Sequence, residues 1–353
     1  MNNLKSNYKV IGVMSGTSLD GIDLVCVTFH AEPKWHFEIH CFETISYPYQ
    51  WKERLQNGIH LSSEELNHLD KEYTSYLAEV IRSFIKKFAI KNIEAVCSHG
   101  HTILHRPEDG ITLQIGNLPQ IAALVGEQVI CDFRKQDVSL GGQGAPLVPI
   151  GDQLLFNSYD YCLNLGGFAN ASTLKDNKRI AYDICPVNIV LNSLAEKMGF
   201  TYDDAGKIAA SGKLISMVLE QLNALAYYQS PPPKSLGLEW VIKNIFPVLN
   251  TEKYHPEDLL HTFTEHCAIQ LAENFTEGSS VLVTGGGVYN LYLLKRINFH
   301  KNLHIIIPDK EIIEYKEALI FGLLGVLKVR GEINCLASVT GARTDHSSGE
   351  IFN

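Results

Sequence analysis

Ser15-Gly16-Thr17-Ser18, followed by Asp20 and Asp23, is the group of residues in this chain best suited to chemistry. Hydroxyls and unhindered backbone N–H groups in such a turn suit an anion, and the carboxylates beside it suit a metal ion that bridges phosphates. An ordinary hairpin turn can carry the same letters. No Gly-Lys-Ser/Thr occurs there and no helical pattern follows, so a Walker-type loop at a helix N-terminus is excluded. Three other places carry comparable groups. Gly166-Gly167 with Asn170 forms a second glycine turn between apolar runs. Asp183 stands at a strand-to-helix junction, where a carboxylate either projects into a cleft as a catalytic group or caps the helix. Gly285-Gly286-Gly287 with Asn290 closes an apolar run before a helical pattern, and glycines there let a ring or a phosphate approach the backbone.

The elements around these groups follow from periodicity. Val10 to Met14 and the run after Asp20 read as two strands of a hairpin, and 35–47 alternates well enough to extend the same sheet. Ser62-Ser63-Glu64-Glu65 is a capping box that opens a long helix with Leu66, Leu69, Tyr73, Leu77, Val80, Ile81 and Phe84 on one face. Strands at 93–100 and 129–133 alternate with a short helix at 119–125 and end in polar residues, which argues for an α/β domain with its site at the strands' carboxyl ends. The polar, glycine-rich segment 132–149 reads as a mobile crossover. It sets an N-terminal lobe over 1–132 and a C-terminal lobe over 133–335, with the tail 336–353 able to pack back on the first. The second lobe opens with a glycine-turn hairpin at 159–176, which repeats the first hairpin's architecture and points to a duplicated fold. A strand ending at Asp183, helices at 255–275 and 316–330, and strands at 279–284 and 304–310 complete it.

Composition bounds the class. The 353 residues are enough for two domains, with 45% apolar and 20% charged residues as in soluble globular proteins. The net charge of −9 and the mixing of signs along the chain argue against a nucleic-acid surface. No apolar run reaches the length of about 18 residues that a membrane helix needs, and 1–10 lacks a signal-peptide core. Eight scattered cysteines without a Cys-x-x-Cys pair read as buried thiols in a reducing cytoplasm, so no zinc site is expected.

Seven blocks, in order, closely resemble anhydro-N-acetylmuramic acid kinases: Ser15 to Asp23, Ser98-His99-Gly100-His101-Thr102, Asp132-Phe133-Arg134 through Asp137, Gly141 to Pro149, Asn164 to Asn170, Pro232-Pro233-Lys234-Ser235, and Gly285-Gly286-Gly287 with Asn290. The resemblance spans essentially the whole chain. It implies the two-lobed α/β fold of sugar kinases, Hsp70 and actin (a duplicated ribonuclease H-like fold), with an ATP cleft between the lobes. It also implies a double reaction in peptidoglycan recycling: water opens 1,6-anhydro-N-acetylmuramic acid, and ATP phosphorylates the released O6. On the same ground Asp183 is the base. Ser15, Gly16, Thr17, Ser18, Asp20, Gly21, Gly166, Gly167, Asn170, Gly285, Gly286, Gly287 and Asn290 bind ATP, with Mg2+ near Asp20 through water. Thr102, Arg134, Asp137 and Glu317 bind the sugar, Arg134 being suited to fork its carboxylate. A cytoplasmic homodimer without nucleic-acid or membrane partners is implied as well. A kinase of another amino sugar and a nucleotide-gated switch protein are the competing readings. The family's Asp-(Thr/Cys)-Gly-Pro-Gly-Asn is here Asp183-Ile184-Cys185-Pro186-Val187-Asn188, so that, if the family's glycines let the backbone approach phosphate or sugar closely, Cys185 and Val187 would tighten that corner.

Overall fold

A computed structural model of the chain describes residues 5–16 and 19–353. Backbone contacts divide it into two compact units, Met1–Phe156 with Tyr315–Asn353, and Asn157–Glu314. The sequence reading set its boundary at 132/133. The contacts divide the chain further on because 135–155 and the chain from Tyr315 onward both pack into the first unit.

In the first unit, β1 (Asn7–Ser15), β2 (Gly21–His30) and β3 (His36–Ser46) form an antiparallel meander. On the other side of β1 lies β4 (Ala95–Arg106), parallel to it, and β4 also carries β5 (Ile111–Ile115) as an antiparallel partner. Next comes β6 (Val129–Cys131), parallel to β4, and the C-terminal strand Glu350–Phe352 pairs antiparallel with β6. The helix Ser63–Lys87 covers this sheet. Its capping box is present: the Ser62 hydroxyl accepts from the Glu65 N–H, and the Glu65 carboxylate accepts from the Ser62 N–H at 2.8 Å. Such a cap stabilises by about 1 kcal/mol. Leu66, Leu69, Tyr73, Leu77, Ile81 and Phe84 recur at three- and four-residue spacing and are buried, joining the core formed with Ile11, Val13, Ile22, Leu24 and Val96. Each such side chain contributes on the order of 1.5–3 kcal/mol.

Backbone approach holds the helix segment from Tyr315 onto β1. A Cβ on Gly12 would lie 1.9 Å from the Ala318 carbonyl oxygen, so only glycine admits the helix at that distance. This contact fixes the height of Glu317 over the sheet. The 132–149 segment lies within the first unit and is tied there by backbone hydrogen bonds. Gln143 N–H donates to the Thr340 carbonyl, Gly142 N–H to the Asp137 carbonyl, and Arg343 N–H to the Leu140 carbonyl.

The second unit repeats the plan. The antiparallel meander is β7 (Tyr161–Leu165), β8 (Phe168–Lys175) and β9 (Lys178–Pro186). β10 (Ser280–Thr284) lies parallel to β7, and β11 (His304–Ile306) parallel to β10. Thus β3-β2-β1-β4-β6 in one sheet corresponds to β9-β8-β7-β10-β11 in the other. The helix Pro256–Glu273 is buried along most of its length and packs its Leu259, Phe263, Cys267 and Leu271 into the second core. Two strands of this unit differ from expectation. β11 is shorter than 304–310, and the strand read as ending at Asp183 continues to Pro186. β9 is an edge strand, where a proline is tolerated. None of the eight cysteines is in a disulfide. Among the described residues, no helix is long and apolar enough to cross a membrane.

Candidate active site

The first unit's turn begins where β1 ends. Ser15 is buried, and the Leu19 N–H donates to the Gly16 carbonyl at 3.3 Å, closing the turn. Thr17 and Ser18 lie outside the described residues. Asp20 is exposed beside the turn. Gly21 starts β2 against Ile45, whose carbonyl oxygen would lie 2.6 Å from an added Cβ. Beneath the turn, Tyr47 and Tyr73 share a hydroxyl hydrogen bond of 2.5 Å, and His101 packs edge-on to Tyr47. Burial pushes His101 down to about 4 and Tyr47 up to about 12, so both are neutral at pH 7. Neither ring therefore brings a charge to the turn.

Arg134 is held on two sides. Its Nε donates to His99 Nε2 at 2.8 Å, and its Nη1 donates to the Gly144 carbonyl at 2.8 Å. His99 Nδ1 in turn donates to the Gly100 carbonyl at 2.7 Å, which leaves the lone pair on Nε2, where Arg134 needs it. Burial, and then the Arg134 charge, hold His99 well below the ordinary imidazole value, so this neutral tautomer persists. Phe321 packs against the His99 ring at 4.7 Å. Glu317, one residue before the Ala318 that touches Gly12, is open to water yet stands deep among protein atoms. That desolvation raises its carboxyl pKa, Arg134 opposes the rise, and Asp23 adds to it. Thr102 lies on β4 opposite Gln114 of β5, whose Nε2 donates to the Thr102 hydroxyl at 3.3 Å. Arg134, Glu317 and Thr102 thus all belong to the first unit, with Arg134 and Glu317 in electrostatic contact.

Asp137 is different. It is fully buried, its Oδ1 accepts from the Thr340 hydroxyl at 2.7 Å and from the Cys335 thiol at 3.0 Å, and its Oδ2 accepts from the Gly144 N–H at 2.7 Å. Those bonds join the Gly141–Gly144 loop to the C-terminal segment, and the carboxylate, fully buried, is not exposed to a sugar.

In the second unit, Asn164, Asn170 and Asp183 sit directly opposite one another across β7, β8 and β9, and so share one face of the sheet. Asp183 is tied at three points. Its N–H donates to the Lys234 carbonyl at 3.1 Å, its carbonyl accepts from the Tyr227 hydroxyl at 2.7 Å, and its Oδ2 accepts from the Leu236 N–H at 2.8 Å. Oδ1 has no hydrogen bond among the described residues. Desolvation raises the Asp183 pKa above the ordinary 3.8, with the Leu236 N–H opposing. An oriented carboxylate with raised basicity and one open oxygen is what a general base requires. Asp183 does not cap the helix Asn188–Glu196; the N–H groups of Val187, Asn188 and Ile189 donate instead to the carbonyls of Gly166 and Gly167.

The second unit's glycine turns lie at the carboxyl ends of the adjacent parallel strands β7 and β10, where open α/β sheets take their ligands. Gly285 has φ +82°, and a Cβ there would meet Asn164 Oδ1 at 2.5 Å. Gly287 is crowded by Leu165. Gly286 between them is exposed and has nothing within 4 Å of an added Cβ, so its face is open to a ligand. Asn290 is committed elsewhere: its Oδ1 caps the helix Leu291–His300 by accepting from the Leu293 N–H at 2.9 Å. Ile184, Cys185 and Val187 are fully buried in the second core.

Three supporting groups were not singled out by sequence: His99 as the support of Arg134, Tyr227 as the support of Asp183, and Gln114, whose buried Oε1 carries no hydrogen bond beside Thr102. Only His99 had a signal, in its place in the Ser98–Thr102 block.

Two sheets of matching order, each opening on a turn-tipped hairpin, make this a duplicated α/β fold of the sugar kinase, Hsp70 and actin type. Within that class the chain belongs to the anhydro-N-acetylmuramic acid kinase family, whose model matches residues 8–353. A relative of that name from Mannheimia succiniciproducens is 34% identical, covering 97% of this chain and 98% of the relative. Others from Haemophilus influenzae and Aliivibrio fischeri are 31% and 34% identical over 100% and 98% of this chain and 99% of each relative. The chain is accordingly an enzyme of the kinase class that takes a small-molecule substrate.

Proposed function

We propose that this chain hydrolytically opens 1,6-anhydro-N-acetylmuramic acid and phosphorylates the freed O6 from ATP, giving N-acetylmuramic acid 6-phosphate. The observation that carries this reading is Asp183, a desolvated carboxylate held by the Leu236 N–H with its other oxygen open. In the proposed reaction Asp183 takes a proton from water as the water oxygen bonds to the anomeric carbon. The C1–O6 bond breaks, its electrons pass to O6, and O6 attacks the γ-phosphorus with departure of ADP. Arg134, with its Nη2 free of hydrogen bonds among the described residues, pairs with the lactyl carboxylate, while Thr102 and Glu317 bind the sugar's polar groups. The turn from Ser15 to Gly21, with Thr17 and Ser18, and the turn at Gly166, Gly167 and Asn170 give donors to the phosphates. Adenosine lies against Gly285-Gly286-Gly287. Asp137 and Asn290 are assigned positioning roles only.

The residues fit Mg2+ in the way that ion is usually held, through a carboxylate and the substrate phosphates rather than a protein cage. Asp20 is the exposed carboxylate at the turn and would hold it through water. When bound, Mg2+ supplies charge neutralisation of the phosphoryl oxygens. A cytoplasmic setting is supported by the need for ATP and by eight free thiols; the homodimer rests on the family resemblance, and light scattering of the purified chain tests it.

The test of the reaction is ADP release with three acceptors: the anhydro sugar, open N-acetylmuramic acid and N-acetylglucosamine. The proposal requires turnover with the anhydro sugar. Turnover only with an open sugar would establish a plain sugar kinase, and ATP binding without turnover on any acceptor would favour a nucleotide switch.

A further inference from the structure

We propose that Asp137, Cys335 and His346 form a binding site for a divalent, thiol-seeking metal ion, zinc by ligand type, separate from the phosphate-bound Mg2+ of the kinase reaction. The three residues are 0%, 2% and 8% exposed, and one ligand atom from each lies within 4.8 Å of the others. No other such group of three is found among the described residues.

His346 gives the direct indication. Its Nδ1 lies 3.0 Å from the Thr344 carbonyl and must donate to it. That leaves the ring's other nitrogen, Nε2. It is buried, makes no hydrogen bond, and faces Asp137 Oδ1 at 3.5 Å. A ring nitrogen and a carboxylate oxygen that face each other in a dry site call for positive charge between them, a proton or a metal ion. Cys335 is already half of the answer, since its thiol donates to the same Oδ1 at 3.0 Å. A metal ion would take the place of that proton. Thiolate and carboxylate together then balance a doubly charged ion, with a neutral imidazole as third ligand.

The spacing suits tetrahedral zinc. Bonds of about 2.3 Å to sulfur and 2.0 Å to nitrogen and oxygen put sulfur about 3.5 Å and nitrogen about 3.3 Å from the carboxylate oxygen. Measured from the carboxylate oxygen, the thiol at 3.0 Å needs to move outward by about half an ångström, and the imidazole nitrogen at 3.5 Å is close to its place. The ligands are also braced from behind. Cys335 and His346 face each other across an antiparallel bridge, closed by Cys335 N–H to the His346 carbonyl at 3.1 Å and His346 N–H to the Cys335 carbonyl at 3.2 Å. The Thr340 hydroxyl and the Gly144 N–H orient the carboxylate, as supporting hydrogen bonds do in known metal sites. An ion there would fasten the 137–144 loop, and with it the Gly144 carbonyl that holds Arg134, to the C-terminal segment.

The test loads the full-length chain by expression in zinc- or cobalt-supplemented medium, followed by gel filtration and elemental analysis. One metal per chain is expected, with a thiolate-to-cobalt charge-transfer band in the cobalt form. Cys335→Ser should abolish the band, and both Cys335→Ser and His346→Gln should weaken retention by about tenfold or more, with circular dichroism confirming the fold. Cadmium-113 NMR of the wild-type chain gives a reading independent of any variant: a single resonance in the range for one thiolate ligand is expected. Metal-free wild-type protein after loading overturns the proposal and leaves an imidazolium–carboxylate pair at the site. Equal retention by wild type and both variants overturns it too. Neither outcome touches the kinase assignment, which is read by ADP release.

Discussion

Asp183→Asn exchanges a carboxylate oxygen for an amide of nearly the same size in a site that holds its residue by other means. The bonds from Asp183 N–H to Lys234 and from Tyr227 to the Asp183 carbonyl use the backbone and survive. The new side-chain carbonyl can still accept from the Leu236 N–H, which sends the amide nitrogen to the open side. No hydrogen bond is lost, so the change isolates basicity. Loss of a positioned general base costs about 10²–10⁴ in rate, or about 2.7–5.4 kcal/mol in the barrier. ATP affinity, measured by calorimetry, should stay at the wild-type value. Stability should not fall. The folded pKa of Asp183 is raised above its unfolded value near 3.8, so the native chain binds the extra proton between those two values. Wild-type stability therefore declines as pH rises through that window, and the variant loses the decline. Thermal melts at neutral pH should show the variant level with or above wild type. The acidic limb of kcat/KM should lie above 3.8 in wild type and vanish in the variant. An undiminished rate, or a rate loss accompanied by a large drop in melting temperature, would refute the assignment of Asp183 as base.

His99→Leu removes the acceptor of Arg134 Nε while leaving the Gly144 carbonyl bond. A hydrogen bond to a charged group is worth about 1.5–3 kcal/mol, and the lower end gives about a tenfold rise in the sugar KM. His99→Gln should restore much of it, and a change in ATP affinity instead would contradict the role. Gly286→Ala should fold normally and weaken nucleotide binding, whereas Gly285→Ala should lower the melting temperature because its Cβ meets Asn164; wild-type ATP affinity in Gly286→Ala would remove that turn from the nucleotide site. Chelation of Mg2+ should stop phosphoryl transfer and its return should restore it, so turnover persisting in chelator would contradict the metal assignment.

Local signals told most of what local physics decides. The capping box at Ser62, the glycine-turn hairpins and the helix stripe from Leu66 to Phe84 depend on neighbours a few residues away, and each is where periodicity set it. Asp137 and Asn290 show the limit. Their letters suit ligand contact as well as structure, and what decides for Asp137 are Cys335 and Thr340, 198 and 203 residues further along. The 132–149 glycines read as a crossover by composition, yet Gly142 is small because Asp137 leaves no room for a Cβ. The burial of Cys185 and Val187 in the second core could not be read from their spacing. The return of the chain to the first unit at Tyr315 rests on the Gly12–Ala318 approach, a contact without a local signature.

The most direct test of the central claim is mass spectrometry of the product formed from Mg-ATP and 1,6-anhydro-N-acetylmuramic acid. The account predicts a product heavier than the sugar by one phosphate and one water, with the water oxygen labelled when the reaction runs in oxygen-18 water. A product that gains phosphate without water would contradict it and reduce Asp183 to a base for phosphoryl transfer alone.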